Sequence, residues 1–231
     1  MALSVHIWSD VVCPWCFVGK RRFERAVAEF GQPVEVVWHS FELDPRGTHL
    51  AEEGLSAPER LAKKMGTPVE RARAMMEQMA RTGEPDGIHF NLLDGKTGQS
   101  FDAHRLIHFA AAKGKQGEMK ERLLRAHFEE AQNCSDKAVL GKLAAEVGLD
   151  ESEAKEVLDS ERYAADVRKD EEDARELGIS GVPFFVIGRY GVSGAQSSAA
   201  FLQVLDRAYV EQEPQQVEAV PGEVCTPEGC T

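Results

Sequence analysis

The spacing of apolar residues changes abruptly along this chain. Val5, Ile7 and Val11 lie in a run from Ser4 to Val12 that is rich in strand formers. Phe17, Phe23, Val27 and Phe30 then recur at helical intervals until Gly31 and Pro33 end the segment. From Val34 to Phe41 the alternation has period two, which predicts a second strand. The opening is therefore strand, helix, strand, with Cys13 at the turn from the first strand into the helix.

The middle reads as helix after helix from about Ala57 to Leu177: a Met-rich segment around Met75, then Phe101–Ala112, Gly117–Ala131, and more from Asp136 onward. Only Gly87–Phe90 suggests a short extended piece. Strand character returns from Val182 to Val192, where Gly188 and Gly191 bracket a hairpin turn, and Phe201, Leu202, Leu205 and Tyr209 line an amphipathic helix. The stretch from Glu211 to Thr231 has few large apolar residues and is expected to be a flexible tail. These patterns predict an α/β chain with a large all-helical domain inserted between an N-terminal βαβ unit and a C-terminal ββα unit. The expected limits are 1–50 with 180–210 for the first domain, 51–179 for the insertion and 211–231 for the tail.

Composition narrows the chemistry. A net charge of -12 argues against a nucleic-acid partner, which needs a concentrated basic surface. No stretch approaches the roughly 20 apolar residues of a membrane helix. The N-terminus lacks a basic leader, a long apolar run and a cleavage site, so a cytoplasmic location is expected. In a reducing compartment five cysteines do not suggest a disulfide scaffold; paired ones point to catalysis or metal.

Cys13 and Cys16 are separated by two residues at a helix start. Unpaired backbone N–H groups and the helix dipole favour negative charge there, so Cys13 is the expected nucleophile, with Pro14 suited to the first helical position. Cys16, one turn further in, is placed to attack a mixed disulfide on Cys13. Zinc ribbons use the same spacing, but a four-thiolate site would need Cys225 and Cys230, which have wider spacing and lie in the tail. Redox use ranks first, and neither a metal nor a cofactor is expected.

The companion motif is Ile179-Ser180-Gly181-Val182-Pro183-Phe184-Phe185 ahead of the late hairpin. With the cysteine pair and the helical insertion, it resembles the thioredoxin fold of the DsbA-like family. That resemblance implies that Pro183 is a cis proline beside Cys13, and that Val182 offers its backbone to an extended substrate. The chain is most similar to the FrnE-like branch, through Asp10-Val11-Val12-Cys13-Pro14-Trp15-Cys16-Phe17-Val18-Gly19, Phe41-Glu42-Leu43-Asp44-Pro45, Phe101-Asp102-Ala103-His104-Arg105-Leu106 and Val192-Ser193-Gly194-Ala195-Gln196. The match runs from about Leu3 to Val210. Cys134 stands where the family pattern has an aliphatic residue, and the tail pair is not general to the family.

The other candidates have bland readings beside functional ones. Cys134 reads as a small buried hydrophobe. His104 and His108 have metal-chelating spacing but no helix-mate partner; His104, inside a family-matching word, is expected at the cleft between domains as a substrate contact. Met75, Met76 and Met79 read as core ahead of an adaptable substrate surface. Trp15 reads as an apolar platform beside the cysteines. Lys20, Arg21, Arg22 and Arg25 read as a solvated basic face, and Arg168 with Glu172 and Lys169 with Asp173 as exposed i,i+4 pairs.

The expected function is thiol–disulfide exchange on protein cysteines, as an isomerase or reductase, with a thioredoxin-type reductant or glutathione as electron source and Cys225 with Cys230 as an accessory redox pair. The alternatives are a glutathione-dependent small-molecule isomerase or polyketide-tailoring enzyme of the same fold, and a metal-binding or redox-sensing protein using all four paired cysteines.

Overall fold

A computed structural model describes residues 2–46 and 54–212, together with the backbone of Cys225–Thr226 and Gly229–Cys230. The chain runs β1 (Leu3–Ser9), α1 (Pro14–Phe30), β2 (Val34–Ser40), α2 (Ala57–Met65), α3 (Val69–Gly83), α4 (Phe101–Ala112), α5 (Gln116–Phe128), α6 (Lys137–Glu146), α7 (Glu151–Leu158), α8 (Ala164–Glu176), β3 (Phe184–Ile187), β4 (Tyr190–Ser193) and α9 (Ser198–Gln212). Beyond these, β5 (Cys225–Thr226) and β6 (Gly229–Cys230) pair antiparallel, with Cys225 opposite Cys230. The tail's other residues, on which flexibility was expected, lie outside the described residues.

The main sheet has the order β2-β1-β3-β4. β1 runs parallel to β2, Val5 beside Val36, and antiparallel to β3, Ile7 beside Phe185. This is a thioredoxin-like fold of the DsbA type, with the helices α2 to α8 between β2 and β3. Period-two alternation gives β1 two buried faces. Leu3, Val5 and Ile7 enter the main core with Phe23, Phe185 and Phe201, while Trp8 packs with Ala174 and Ile179 on the opposite side. Each such side chain contributes about 1.5–3 kcal/mol on burial.

The main core does not stop at the sheet. Val5, Ile7 and Phe23 belong to the same buried cluster as Leu106, Leu123, Leu143 and Val157 of the helical block. A second cluster joins Phe17 and Val18 of α1 to Leu124 and Phe128 of α5. The basic face of α1, expected to be solvated, is also part of this join. Lys20 is 4% exposed and donates to Glu24 at 2.5 Å and Glu121 at 2.6 Å. Arg21 pairs with Glu121, and Arg22 with Asp86. A basic stripe on a helix reads as solvent-facing only until carboxylates from another element are packed over it.

Local differences from the sequence reading have identifiable causes. β1 ends at Ser9 rather than Val12, because the Asp10 carboxylate accepts from Val12 N–H at 3.3 Å and Leu43 N–H at 2.8 Å and turns the chain. Gly87–Phe90 joins no strand. Gly87 sits at φ 73° after a 3-10 turn, and Ile88 is buried in the cluster of Phe17 and Phe128 instead of in a ladder. Lys169 pairs with Asp173 as expected, whereas Arg168 reaches Glu171 at 2.8 Å and Glu42 at 3.5 Å while lying over the Phe101 ring. At the end of α1, Gly31 adopts φ 68°, and its N–H closes on Val27 O at 3.2 Å.

Candidate active site

Cys13 caps the N-terminus of α1, and Pro14 occupies the first turn, where no N–H is needed. The residue is buried, 5% exposed. Its Sγ donates a weak hydrogen bond to Val182 O at 3.6 Å, and the Val182–Pro183 bond is cis. Gly19, on the second turn of α1, makes this approach possible: a Cβ there would stand 3.0 Å from Pro183 Cγ. Pro183 O in turn accepts from Gly194 N–H at 2.8 Å, tying the loop to the end of β4.

The two thiols are free and differ in acidity. Cys13 is held below the usual thiol range, chiefly by the Cys16 side chain and then by the Cys16 and Trp15 N–H groups, against burial and the nearby Asp10 charge. Cys16, 1% exposed, is pushed well above that range by burial and by Cys13 itself. Of the two thiols Cys13 is therefore the more acidic, and Cys16 keeps its proton at rest.

Beneath the cysteines lie charged groups supplied by both parts of the fold. Asp10 is fully buried and kept ionised by His104, the Leu43 N–H and Ser100. His104 of α4 is 1% exposed, with Nε2 3.3 Å from Asp10 Oδ1, and burial keeps it neutral. It therefore holds Asp10 rather than meeting substrate. Its helix-mate His108 turns to Asp170, 3.0 Å away, so the two histidines do not converge. Among the described residues no group of three or more His, Cys, Asp or Glu is arranged to hold a metal ion. Lys120 of α5, 1% exposed, donates to Ser9 O at 3.3 Å.

A DSBA-like thioredoxin domain is matched by residues 4–206. The chain belongs to this family. The uncharacterized protein YwbO of Bacillus subtilis (strain 168) is 33% identical over 205 residues, covering 87% of this chain and 94% of that one. A probable DsbA oxidoreductase from Streptomyces coelicolor has a similar crystal structure, with TM-score 0.85 and 39% identity over 99% of this chain and 98% of that one. The cytosolic disulfide reductase DsbM of Pseudomonas aeruginosa shares the fold, with TM-score 0.55 and 23% identity over 90% of this chain and 97% of that one.

In this DSBA-like chain the surface beside Cys13 is apolar. Trp15 is 46% exposed, and with Pro14 it borders a groove of about 670 Å³ walled by Met75, Met76 and Met79 of α3. Met75 and Met76 thus line a groove instead of filling the core, whereas Met79 lines it and also packs against the Phe17 cluster. The helix carrying them presents one face to the groove and buries only Ala72 and Gly83. An adjoining cleft of about 250 Å³, sharing Leu61, Met76 and Leu92 with the groove, opens beside Val12 and is lined by Leu43, Arg60 and His127. Cys134 is buried, with its thiol pushed up to about 12 by desolvation, and is unreactive by position.

Sequence reasoning missed Asp10 as a buried carboxylate, Lys120, and a histidine chain on the far side of the sheet. There His6 Nδ1 meets His39 Nε2 at 2.8 Å, and Asp170 binds both His39 Nδ1 at 2.6 Å and His108. Asp10 opens a family-matching word and could have been noticed; the others carry no local signal.

Proposed function

We propose that the chain is a thiol–disulfide oxidoreductase acting on protein cysteines, a disulfide reductase or isomerase of the FrnE-like branch working in the cytoplasm. One observation carries this reading: a free Cys13 thiol at a helix N-terminus, its acidity raised, 3.6 Å from the carbonyl that precedes a cis proline. The Cys13 thiolate attacks a substrate disulfide, forms a mixed disulfide and releases one substrate thiolate. Cys16 then attacks Cys13 Sγ and releases the other. An extended substrate passes Val182, whose carbonyl already faces the nucleophile. Pro183, with no N–H, leaves that edge free.

Trp15, Pro14 and the methionine wall support a substrate with apolar side chains flanking its cysteine, such as a misfolded chain. The thioredoxin-like part, 1–50 and 180–210, supplies the cysteines, Asp10 and one rim of the groove, and 51–179 supplies the methionine wall, His104 and Lys120. The reductant is a thioredoxin-type protein or glutathione; DsbM, similar in fold, has a structure with GSH. Cys225 and Cys230 act as an accessory redox pair. Their direct opposition across β5 and β6 puts two cysteines in register, a spacing compatible with a disulfide.

Insulin reduction tests the reading. Cys13→Ser should abolish it, and Cys225→Ser should leave partial activity. Full activity without Cys13 sinks the assignment.

A further inference from the structure

Lys120 takes no part in the exchange described so far, yet it sits under the cysteines. A buried lysine is costly unless something holds or uses its charge. Lys20, nearby, is met by two carboxylates. Lys120 forms no ion pair among the described residues: its Nζ has only the Ser9 carbonyl at 3.3 Å and the Trp38 ring, 5.7 Å to the centroid. The ionisable groups whose charges act on it are Cys16, Cys13 and Lys20 of α1, Asp10 from the β1–α1 turn and His104 of α4.

Ser9 connects the lysine to the resolving thiol. Its carbonyl holds Nζ, while its hydroxyl, buried and with no hydrogen-bond partner, lies beside Cys16 and favours the thiolate. Cys16 must lose a proton before it can attack, and burial opposes that loss. Asp10 is a poor acceptor because its oxygens already take bonds from Val12, Leu43 and His104. His104 is committed to Asp10. Burial brings Lys120 down to about 8, so a neutral amine is within reach near neutral pH.

We propose that Lys120 is the proton acceptor for Cys16 in the resolving step, which rests on the exchange reading above. In the mixed disulfide, Cys13 Sγ is bonded to a substrate sulfur. The Cys16 S–H proton moves to the Lys120 amine, giving an ammonium and a thiolate. The thiolate's electron pair forms the Cys13–Cys16 bond, and the substrate sulfur leaves with the pair of the broken bond and is protonated by water. The enzyme dithiol is oxidised by two electrons, and the substrate disulfide is reduced by the same two. When the enzyme disulfide is reduced again, Lys120 returns its proton to Cys16.

The test is single-turnover reaction of the full-length reduced protein with a disulfide-linked peptide between pH 6 and 9.5. Acid quench, alkylation and mass spectrometry then count the mixed disulfide. Lys120→Met should slow resolution about 100-fold at pH 7, let the mixed disulfide accumulate, and abolish the levelling-off expected of the wild type at about pH 9, a unit above the midpoint near 8. Lys120→Arg keeps the charge and the Ser9 contact but cannot give up a proton, so it should show the same defect. That variant also keeps the question open to measurement where Lys120→Met does not fold. A folded Lys120→Arg protein that resolves within about threefold of wild type, with the same pH profile, overturns the proposal. If Cys16→Ser traps no mixed disulfide, the exchange reading itself fails.

Discussion

Two buried polar regions flank the central strand, and they are finished differently. On one side, Asp170 collects His39, His108 and the Ser40 N–H, His6 closes on His39, and the Trp8 ring stacks on His39 at 4.3 Å. On the other side Ser9 lies beside Cys16, and Glu42 and His127 are within reach of the Asp10 charge, each of the three with a buried atom lacking a hydrogen bond. Both regions join β1 or its extension to the helical block. The first has satisfied its donors and acceptors; the second keeps unmet hydrogen-bonding capacity beside two thiols of unlike acidity, which is what proton transfer requires.

Substitutions should separate the two regions. Cys13→Ser should lower insulin reduction by at least about 1000-fold with little change in thermal midpoint. Asp170→Ala should do the reverse, costing about 3–5 kcal/mol in denaturant unfolding because three donors are stranded, while activity per folded molecule stays near wild type. Equal loss of activity in both variants would erase the contrast.

The next effect is a pH slope. Burial raises Glu42 to about 7, against 4.5 when unfolded. Below pH 4.5 the group is neutral in both states and has no effect. Between 4.5 and 7 only the unfolded state ionises, so the folded state loses stability as pH rises, by about 2 kcal/mol after allowance for screening by Arg168 and solvent. Urea titrations of wild type and Glu42→Gln across that window should show the slope in the first and its loss in the second. Trp15→Ala should raise KM about tenfold for an apolar peptide and change stability by less than about 0.5 kcal/mol. Cys134→Ala should cost about 1 kcal/mol and leave activity unchanged.

The satisfied region and the reactive one were unequally visible in the sequence. Cys13 and Cys16 could be placed because a strand-to-helix turn and a two-residue spacing are local patterns, whereas the cis bond at Pro183 is implied only by the resemblance to the DsbA-like family. Lys120 is brought to Ser9 across 111 positions, and Asp170 to His39 across 131. No period or spacing encodes such meetings. The methionines of α3 show a further limit, since the same helical spacing serves a core face and a groove wall. The basic stripe of α1 was misread for the same reason: its partners Glu121 and Asp86 lie in other elements.

The strand order carries a consequence for synthesis. β1 is made first but lies inside the sheet, and its partner on one side, β3, ends at Ile187. At about 5–20 residues per second the interval between Cys13 and Ile187 takes roughly nine to thirty-five seconds. Throughout it one edge of β1 has no strand beside it, and Cys13 lacks the Val182 carbonyl. A nascent chain therefore carries both an open sheet edge and a Cys13 thiol not yet covered by the loop that ends at Pro183.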